Sequence, residues 1–271
     1  MEHLLKKYKS VLYTFLIVLA FTLLKKPIEF GLLELQYDEL KSDMIAGIIS
    51  RFLLVLVAIL IIKNLNLQNI NGFGQKIILR NYQALILPLL IIVLVAFSNF
   101  NTYTIFDNDM LIIFTISVLL VGFAEELTFR GIILPVIIRA NGEKNNAILI
   151  GIVLSSVLFG LIHYVNLFKD LNFSRITSIV IFATCFGSFA GGLFLRTGNI
   201  ALVAVLHGLF NFAFNTSILN GEVSSGRIFD PSKTSDWISL LITLSIFGFI
   251  FGSGIYMAKI SDKIQIFKKI F

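Results

Sequence analysis

Residues 110–138 read MLIIFTISVLLVGFAEELTFRGIILPVII. A helix needs about 20 residues to cross a hydrocarbon core of about 30 Å, so this run is long enough to span a membrane. It nevertheless carries Glu125, Glu126 and Arg130 near its middle. A charged side chain at that depth costs at least about 2.5 to 3.5 kcal/mol, so it faces a cavity or a partner rather than lipid. Residues four apart share a helix face, which lets Glu126 and Arg130 pair within the helix. Glu125 is rotated by about 100° from Glu126. It is the carboxylate left without a helical partner.

The rest of the chain has the same character. Of its 271 residues 57% are hydrophobic and 14% charged, and the mean hydropathy of +0.91 excludes an ordinary soluble domain. Apolar blocks fall at roughly 10–24, 44–62, 82–98, 110–138, 147–165, 176–195, 199–215 and 237–257. Because these blocks are continuously apolar rather than alternating, they predict helices and not a barrel. The expected fold is an all-α, polytopic transmembrane helical bundle of about eight spans, with a buried polar site between spans 4, 5 and 7. Residues 1–109 would hold the first three spans, including a charged segment 27–43 suited to lie along the membrane surface. Residues 110–216 would form a catalytic transmembrane core, and residues 217–271 a loop, the last span and a basic tail. Segment 216–236 is polar and turn-rich, with Gly221, Gly226 and Pro231.

The basic stretch Met1–Lys9 followed by an apolar run has the look of a secretory signal. It ends in Leu23-Leu24-Lys25-Lys26-Pro27, with no small-x-small cleavage pattern, so it is expected to stay as the first span. Cys185 is the single cysteine and excludes an intramolecular disulfide. The net charge of +6 points to membrane orientation rather than to nucleic acid. With eight spans, thirteen Lys and Arg residues, among them Lys6, Lys7, Lys76, Arg80 and Arg139, flank the side that holds both termini, against seven, among them Arg227, on the other. Both termini are therefore expected in the cytoplasm. Trp237, Tyr82 and Tyr256 near span ends fit an interfacial aromatic belt.

Two of the three histidines also fall inside spans. His163 ends the stretch Phe159-Gly-Leu-Ile-His163 of the fifth, and the seventh contains His207-Gly-Leu-Phe-Asn211, whose spacing sets an imidazole and a carboxamide on one face. His3, in the N-terminal tail, reads as a solvated residue. Counting about 1.5 Å per residue from the cytoplasmic end of each span places Glu125 at roughly 21 Å, His163 at roughly 24 Å and His207 at roughly 12 Å. Any one such residue is as well explained by an interhelical hydrogen bond. Together, at compatible depths, they point to one polar cavity. Gly187, Gly191 and Gly192 suit close helix packing, and neither a phosphate-binding loop nor a dinucleotide fingerprint is present.

In sequence order these residues give Glu125-Glu126-x-x-x-Arg130, Phe159-x-x-x-His163 and His207-x-x-x-Asn211. The pattern resembles that of the CPBP intramembrane proteases, which include the CAAX prenyl endopeptidases and bacterial abortive-infection and bacteriocin-immunity proteins. The resemblance covers about residues 120–216, and the first three spans carry no motif of it. It implies peptide hydrolysis within the membrane, with Glu125, His163, His207 and Asn211 as the functional residues. Physical chemistry gives compatible roles. Glu125 as a desolvated base, with His163 beside it, would activate water. His207 and the Asn211 amide would donate to the oxyanion, while Arg130 holds Glu126 so that Glu125 stays oriented.

The same atoms allow a metal alternative in which Glu125, His163 and His207 ligate a divalent ion such as zinc and leave its fourth position to water. The usual His-Glu-x-x-His signature is absent, and the metal-free route is the preferred one. Two rival functions use the same polar residues. A non-catalytic scaffold or immunity protein would act by binding a partner, but it has no chemical need for Glu125. A proton-coupled transporter would use acids and histidines as a relay, but no pair of interrupted helices in two matching halves is visible. The expected partners are the bilayer and a peptide or membrane-protein substrate. Richness in Ile, Lys, Asn and Phe points to a bacterial cell membrane, and to peptides such as bacteriocins or pheromone precursors rather than prenylated proteins.

Overall fold

The computed structural model describes residues 2–73, 81–142, 144, 146–219 and 232–271. The positions Lys76, Arg80, Gly221, Gly226, Arg227 and Pro231, and the side chains of His3, Lys6 and Lys7, lie outside the described residues. The described residues are 88% helical and include no strand. Among the described residues six helices are long and apolar enough to cross a membrane: Tyr8–Glu34, Glu39–Asn64, Asn108–Asn141, Ala147–Phe168, Phe173–Thr197 and Thr234–Lys259. The other two expected spans are the shorter apolar helices Tyr82–Ser98 and Ile200–Phe214. The fold is thus a polytopic helical bundle.

The helices are α1 (Glu2–Glu34), α2 (Glu39–Asn64), α3 (Gln68–Asn71), α4 (Ile86–Ser98), α5 (Phe100–Ile105), α6 (Asn108–Thr128), α7 (Leu134–Asn141), α8 (Ala147–Ile162), α9 (Phe173–Thr197), α10 (Ile200–Phe214), α11 (Thr234–Lys259) and α12 (Lys263–Ile270). They pack as two units, each built from two stretches of chain.

The first unit comprises Met1–Ile133 and Thr197–Val223. In it α6 is flanked by α2 and α10, while α1 packs on α2 and α4 on α10. Segment 27–43 is divided between the end of α1, which runs through Pro27, a turn, and the start of α2. Asp38 caps α2 by accepting Lys41 N at 3.1 Å, and Lys25 Nζ pairs with Asp43 Oδ2 at 2.7 Å to tie α1 to α2. Met44, Met110, Phe114, Val118 and Leu219 form an apolar core. The outward faces, such as Leu87, Leu90, Val93, Leu94 and Phe97 on α4, are exposed large apolar side chains. Such faces are suited to lipid as their solvent.

The second unit comprises Leu134–Arg196 and Ser224–Phe271. Here α8 packs on α7 and α11, and α12 packs on α7. Small residues set the closest approaches. A Cβ on Gly160 of α8 would strike Thr184 Oγ1 and come within 2.7 Å of Val180 O on α9, and one on Gly192 would come within 2.7 Å of Gly254 Cα on α11. Arg139 donates to the Ile270 carbonyl through Nε at 3.0 Å and Nη2 at 2.6 Å, anchoring α12.

Candidate functional site

In the first unit the site is assembled where α6 crosses α10. Asp107 starts α6 by accepting Met110 N at 2.8 Å, and Asn199 starts α10 by accepting Leu202 N at 3.2 Å. The crossing itself is made by two glycines. A Cβ on Gly122 would fall on the Ala204 carbonyl oxygen and within 2.7 Å of Gly208 N, and one on Gly208 would lie 2.9 Å from Leu119 Cα. With no side chain at either position the backbones meet directly. Glu126 lies one turn after Gly122 and His207 immediately precedes Gly208, so the close crossing sets the two side chains against each other.

His207 Nδ1 lies 2.8 Å from Glu126 Oε1, and the same oxygen is 3.1 Å from Arg130 Nη1. The expected Glu126–Arg130 pair is present, and it includes a third member, His207, that the sequence places on a distant helix. Glu126 is 0% exposed and Arg130 1%, so this carboxylate is wholly buried, with Oε1 as the oxygen that meets both partners. Glu125 differs. Its side chain is 27% exposed, and its Oε2 lies 3.8 Å from His207 Nε2. That separation is too long for a direct hydrogen bond, and an atom bridging the two groups could touch both. With Nδ1–H given to Glu126, Nε2 is the ring atom turned toward Glu125.

Asn211 follows His207 by one turn of α10 and is half-buried. Its Oδ1 accepts from Asn215 Nδ2 at 3.3 Å, which leaves the amide protons as its other polar end. The carbonyls beyond it are held by Asn99, between α4 and α5, and by Tyr103 of α5: Asn99 Nδ2 donates to Ala213 O at 3.0 Å, and Tyr103 Oη to Phe212 O at 3.0 Å.

His163 belongs to the second unit, at the end of α8. Its Nδ1 donates to the Phe159 carbonyl at 2.9 Å, and its ring stands edge-on to the Phe159 ring with centroids 5.2 Å apart. A carbonyl oxygen can only accept, so Nδ1 carries the proton of this bond and Nε2 is the ring atom left for another partner. The structure thus gathers Glu125, Glu126, Arg130 and His207, sets Asn211 one turn along, and makes Phe159 and His163 a pair of their own in the second unit.

Some polar groups of the first unit are missed by the sequence motifs. Arg51 of α2 donates to Ser117 Oγ on α6 at 3.1 Å, and its electrostatic neighbours are Glu125 and Asp43. An arginine inside an apolar block is itself the signal that could have found it. Asn71, Asn99 and Tyr103 lie in segments whose polarity looks like that of any loop, and only their tertiary contacts distinguish them.

The donor set bears on a metal as follows. Glu125 Oε2 and His207 Nε2 are two of the three ligands named for zinc, and Glu126 on Nδ1 is the kind of carboxylate partner that orients a ligating imidazole. The third, His163, presents Nε2 from the second unit. Among the described residues no group of three or more His, Cys, Asp or Glu gathers in a way that could hold a metal ion.

Comparison with curated proteins and with solved structures returns no match. A family model described as type II CAAX prenyl endopeptidase Rce1-like matches residues 107–213, from the cap of α6 to the next-to-last residue of α10. That stretch contains Glu125, Glu126, Arg130, Phe159, His163, His207 and Asn211. The chain is a multi-pass membrane protein whose residues 107–213 are similar to the Rce1-like type II CAAX prenyl endopeptidases of the CPBP family.

Proposed function

We propose that this protein is an intramembrane endopeptidase that hydrolyses a peptide bond of a membrane-associated peptide or protein at a site centred on Glu125 and His207. The observation that carries the reading is the unequal fate of two adjacent carboxylates. Glu126 is wholly buried against Arg130 and His207, whereas Glu125 is 27% exposed and stands 3.8 Å from His207 Nε2. Paired carboxylates in contrasting environments divide into a structural and a reacting member. The similarity of residues 107–213 to a protease family supports reading the site as proteolytic.

In the proposed reaction Glu125 takes a proton from water, with the Nε2 lone pair of His163 sharing the activation. The hydroxide adds to the scissile carbonyl carbon, and the carbonyl electrons move to oxygen. The oxyanion accepts from Nε2–H of His207, whose Nδ1–H stays on Glu126, and from the Asn211 amide. Collapse restores the carbonyl and breaks the C–N bond, and the amine leaves with the proton held by Glu125. A bound divalent ion, held by Glu125, His207 and His163, would instead supply Lewis-acid activation of water. The two routes ask opposite things of His207: a proton on Nε2 in the first, a lone pair in the second. We favour the metal-free route, and membrane-associated peptides of a bacterial cell as substrates.

The experiment is a comparison of membrane proteomes and released peptides between cells carrying the wild-type protein and Glu125→Ala at equal abundance. Peptides that depend on the wild type support the reading, and identical profiles overturn it. Elemental analysis of active protein then separates the routes. About one zinc per chain, with activity lost on its removal and regained on its return, refutes the metal-free one.

A further inference from the structure

α6 does not run on into α7 as a regular helix. Between them Phe129–Ile133 form a single π-helical turn, and it holds Arg130 and Gly131. In such a turn the hydrogen-bond ladder shifts from four residues to five, which changes the phase of the helix and disturbs the pairing of its carbonyls. The Gly131 carbonyl is buried there, and it accepts from Asn71 Nδ2 at 2.9 Å. The same Nδ2 donates to Leu67 O at 2.8 Å, so both amide protons are used and the carboxamide is locked in one orientation.

The fit is tight on every side. Asn71 is 1% exposed, and Leu67 and Ile70 beside it are 0% and 2% exposed, so the short α3 is plugged into the first unit. Leu67 N bonds Ile62 O at 2.9 Å, fixing α3 to the end of α2. A Cβ on Gly131 would stand 3.0 Å from Asn71 Oδ1 and 3.2 Å from Ile62 Cδ1. Glycine at 131 therefore leaves room for the amide to reach the backbone. The contacts then run on from the amide in sequence. Gly131 adjoins Arg130, Arg130 Nη1 holds Glu126 Oε1 at 3.1 Å, and that oxygen holds His207 Nδ1 at 2.8 Å.

We propose that Asn71, which lies outside the family-matched residues 107–213, is a positioning residue that clamps the π-helical turn and so sets where Arg130, Glu126 and His207 stand relative to Glu125. This rests on the reading of Glu125 as the reacting carboxylate. A wholly structural amide would affect only how much protein folds. A positioning one changes turnover of the folded protein, because a displacement of about 1 Å far from the chemistry can cost about 100-fold in rate.

The test uses full-length protein in proteoliposomes with a lipid-anchored peptide that the wild type cleaves, and rates are expressed per folded molecule. Asn71→Leu keeps the shape and removes both donors. It should lower kcat by about 10- to 100-fold with KM within about twofold. Asn71→Gln, which keeps the carboxamide on a longer arm, should recover part of the loss. Gly131→Ala covers the case in which Asn71→Leu does not accumulate, since it retains the amide and pushes it by a few tenths of an ångström. It too should lower kcat at constant KM. Wild-type kcat per folded molecule in Asn71→Leu, or in Gly131→Ala where the first cannot be purified, overturns the proposal. Glu125→Gln run alongside separates the two failures. An active Glu125→Gln refutes the underlying site. An inactive Glu125→Gln beside fully active Asn71 and Gly131 variants refutes the positioning role alone.

Discussion

Replacing Glu126 by Gln tests whether this carboxylate serves the fold, the site or both. It leaves Arg130, 1% exposed, without the partner that stands 3.1 Å from its Nη1. Breaking a buried pair from one side typically costs about 3 to 5 kcal/mol, roughly two to four orders of magnitude in the ratio of folded to unfolded chain, which is a large part of a typical stability of about 5–15 kcal/mol. Glu126→Gln alone should therefore accumulate poorly. Adding Arg130→Met removes the second charge as well, and exchange of a whole buried pair for neutral or apolar groups is often close to neutral. The double variant should recover abundance. It should not recover activity, because the Nδ1 of His207, 2.8 Å from Glu126 Oε1, has lost the anion that orients it. Removal of the carboxylate behind a metal-ligating histidine typically costs about 10- to 100-fold, and a loss of at least that order is expected here. The assay is peptide cleavage by reconstituted protein, normalised to folded protein from a detergent thermal-shift measurement. A double variant that regains both abundance and wild-type turnover would show that Glu126 is only half of a structural ion pair, and the proposed role of Glu126 would fall.

Gly122→Ala places a methyl against the Ala204 carbonyl and within 2.7 Å of Gly208 N, all backbone atoms, so α6 and α10 must part. Activity should be lost even in the fraction that folds, and a fully active variant would show that the crossing does not hold the site. Asn211→Ala should approach His207→Ala in severity, at about 100- to 1000-fold below wild type, if both donate to the oxyanion. A variant within a few-fold of wild type would remove Asn211 from the mechanism. Reporter fusions at the two ends should both read cytoplasmic from the charge asymmetry, and a C-terminal reporter found on the opposite face would overturn that orientation.

Block length made the six long apolar helices and the two shorter ones legible, because lipid demands long uninterrupted apolar runs and the chain supplies them. What they did not give is depth. α10 covers Ile200–Phe214, and at about 1.5 Å per residue its 15 residues rise roughly 22 Å. Its first residue is therefore no reliable marker of the membrane face, and the counting that set His207 well below Glu125 misjudged their separation, which is 3.8 Å between Oε2 and Nε2. The Glu126–Arg130 pair was legible as a local spacing. Its third member, His207, was not, since that contact depends on Gly122 and Gly208 being small at a crossing between helices more than 80 residues apart. The π-helical turn at Phe129–Ile133 was hidden for a similar reason. Nothing in the residues of that turn announces it, and its buried Gly131 carbonyl is satisfied by Asn71, 60 positions away.

Glu125 is the proposed base of a peptide hydrolysis carried out inside the membrane. Its most direct test is the turnover of a lipid-anchored peptide by purified, reconstituted Glu125→Gln beside wild type, with the thermal unfolding of both recorded. Gln keeps the shape and removes the proton acceptor at a side chain that is partly exposed and stands 3.8 Å from His207 Nε2, so folding should be little changed. Loss of a general base typically lowers the rate by about 100- to 10,000-fold, and Glu125→Gln should show a fall in that range with an unfolding temperature close to that of wild type. Turnover within a few-fold of wild type in equally folded Glu125→Gln would contradict it.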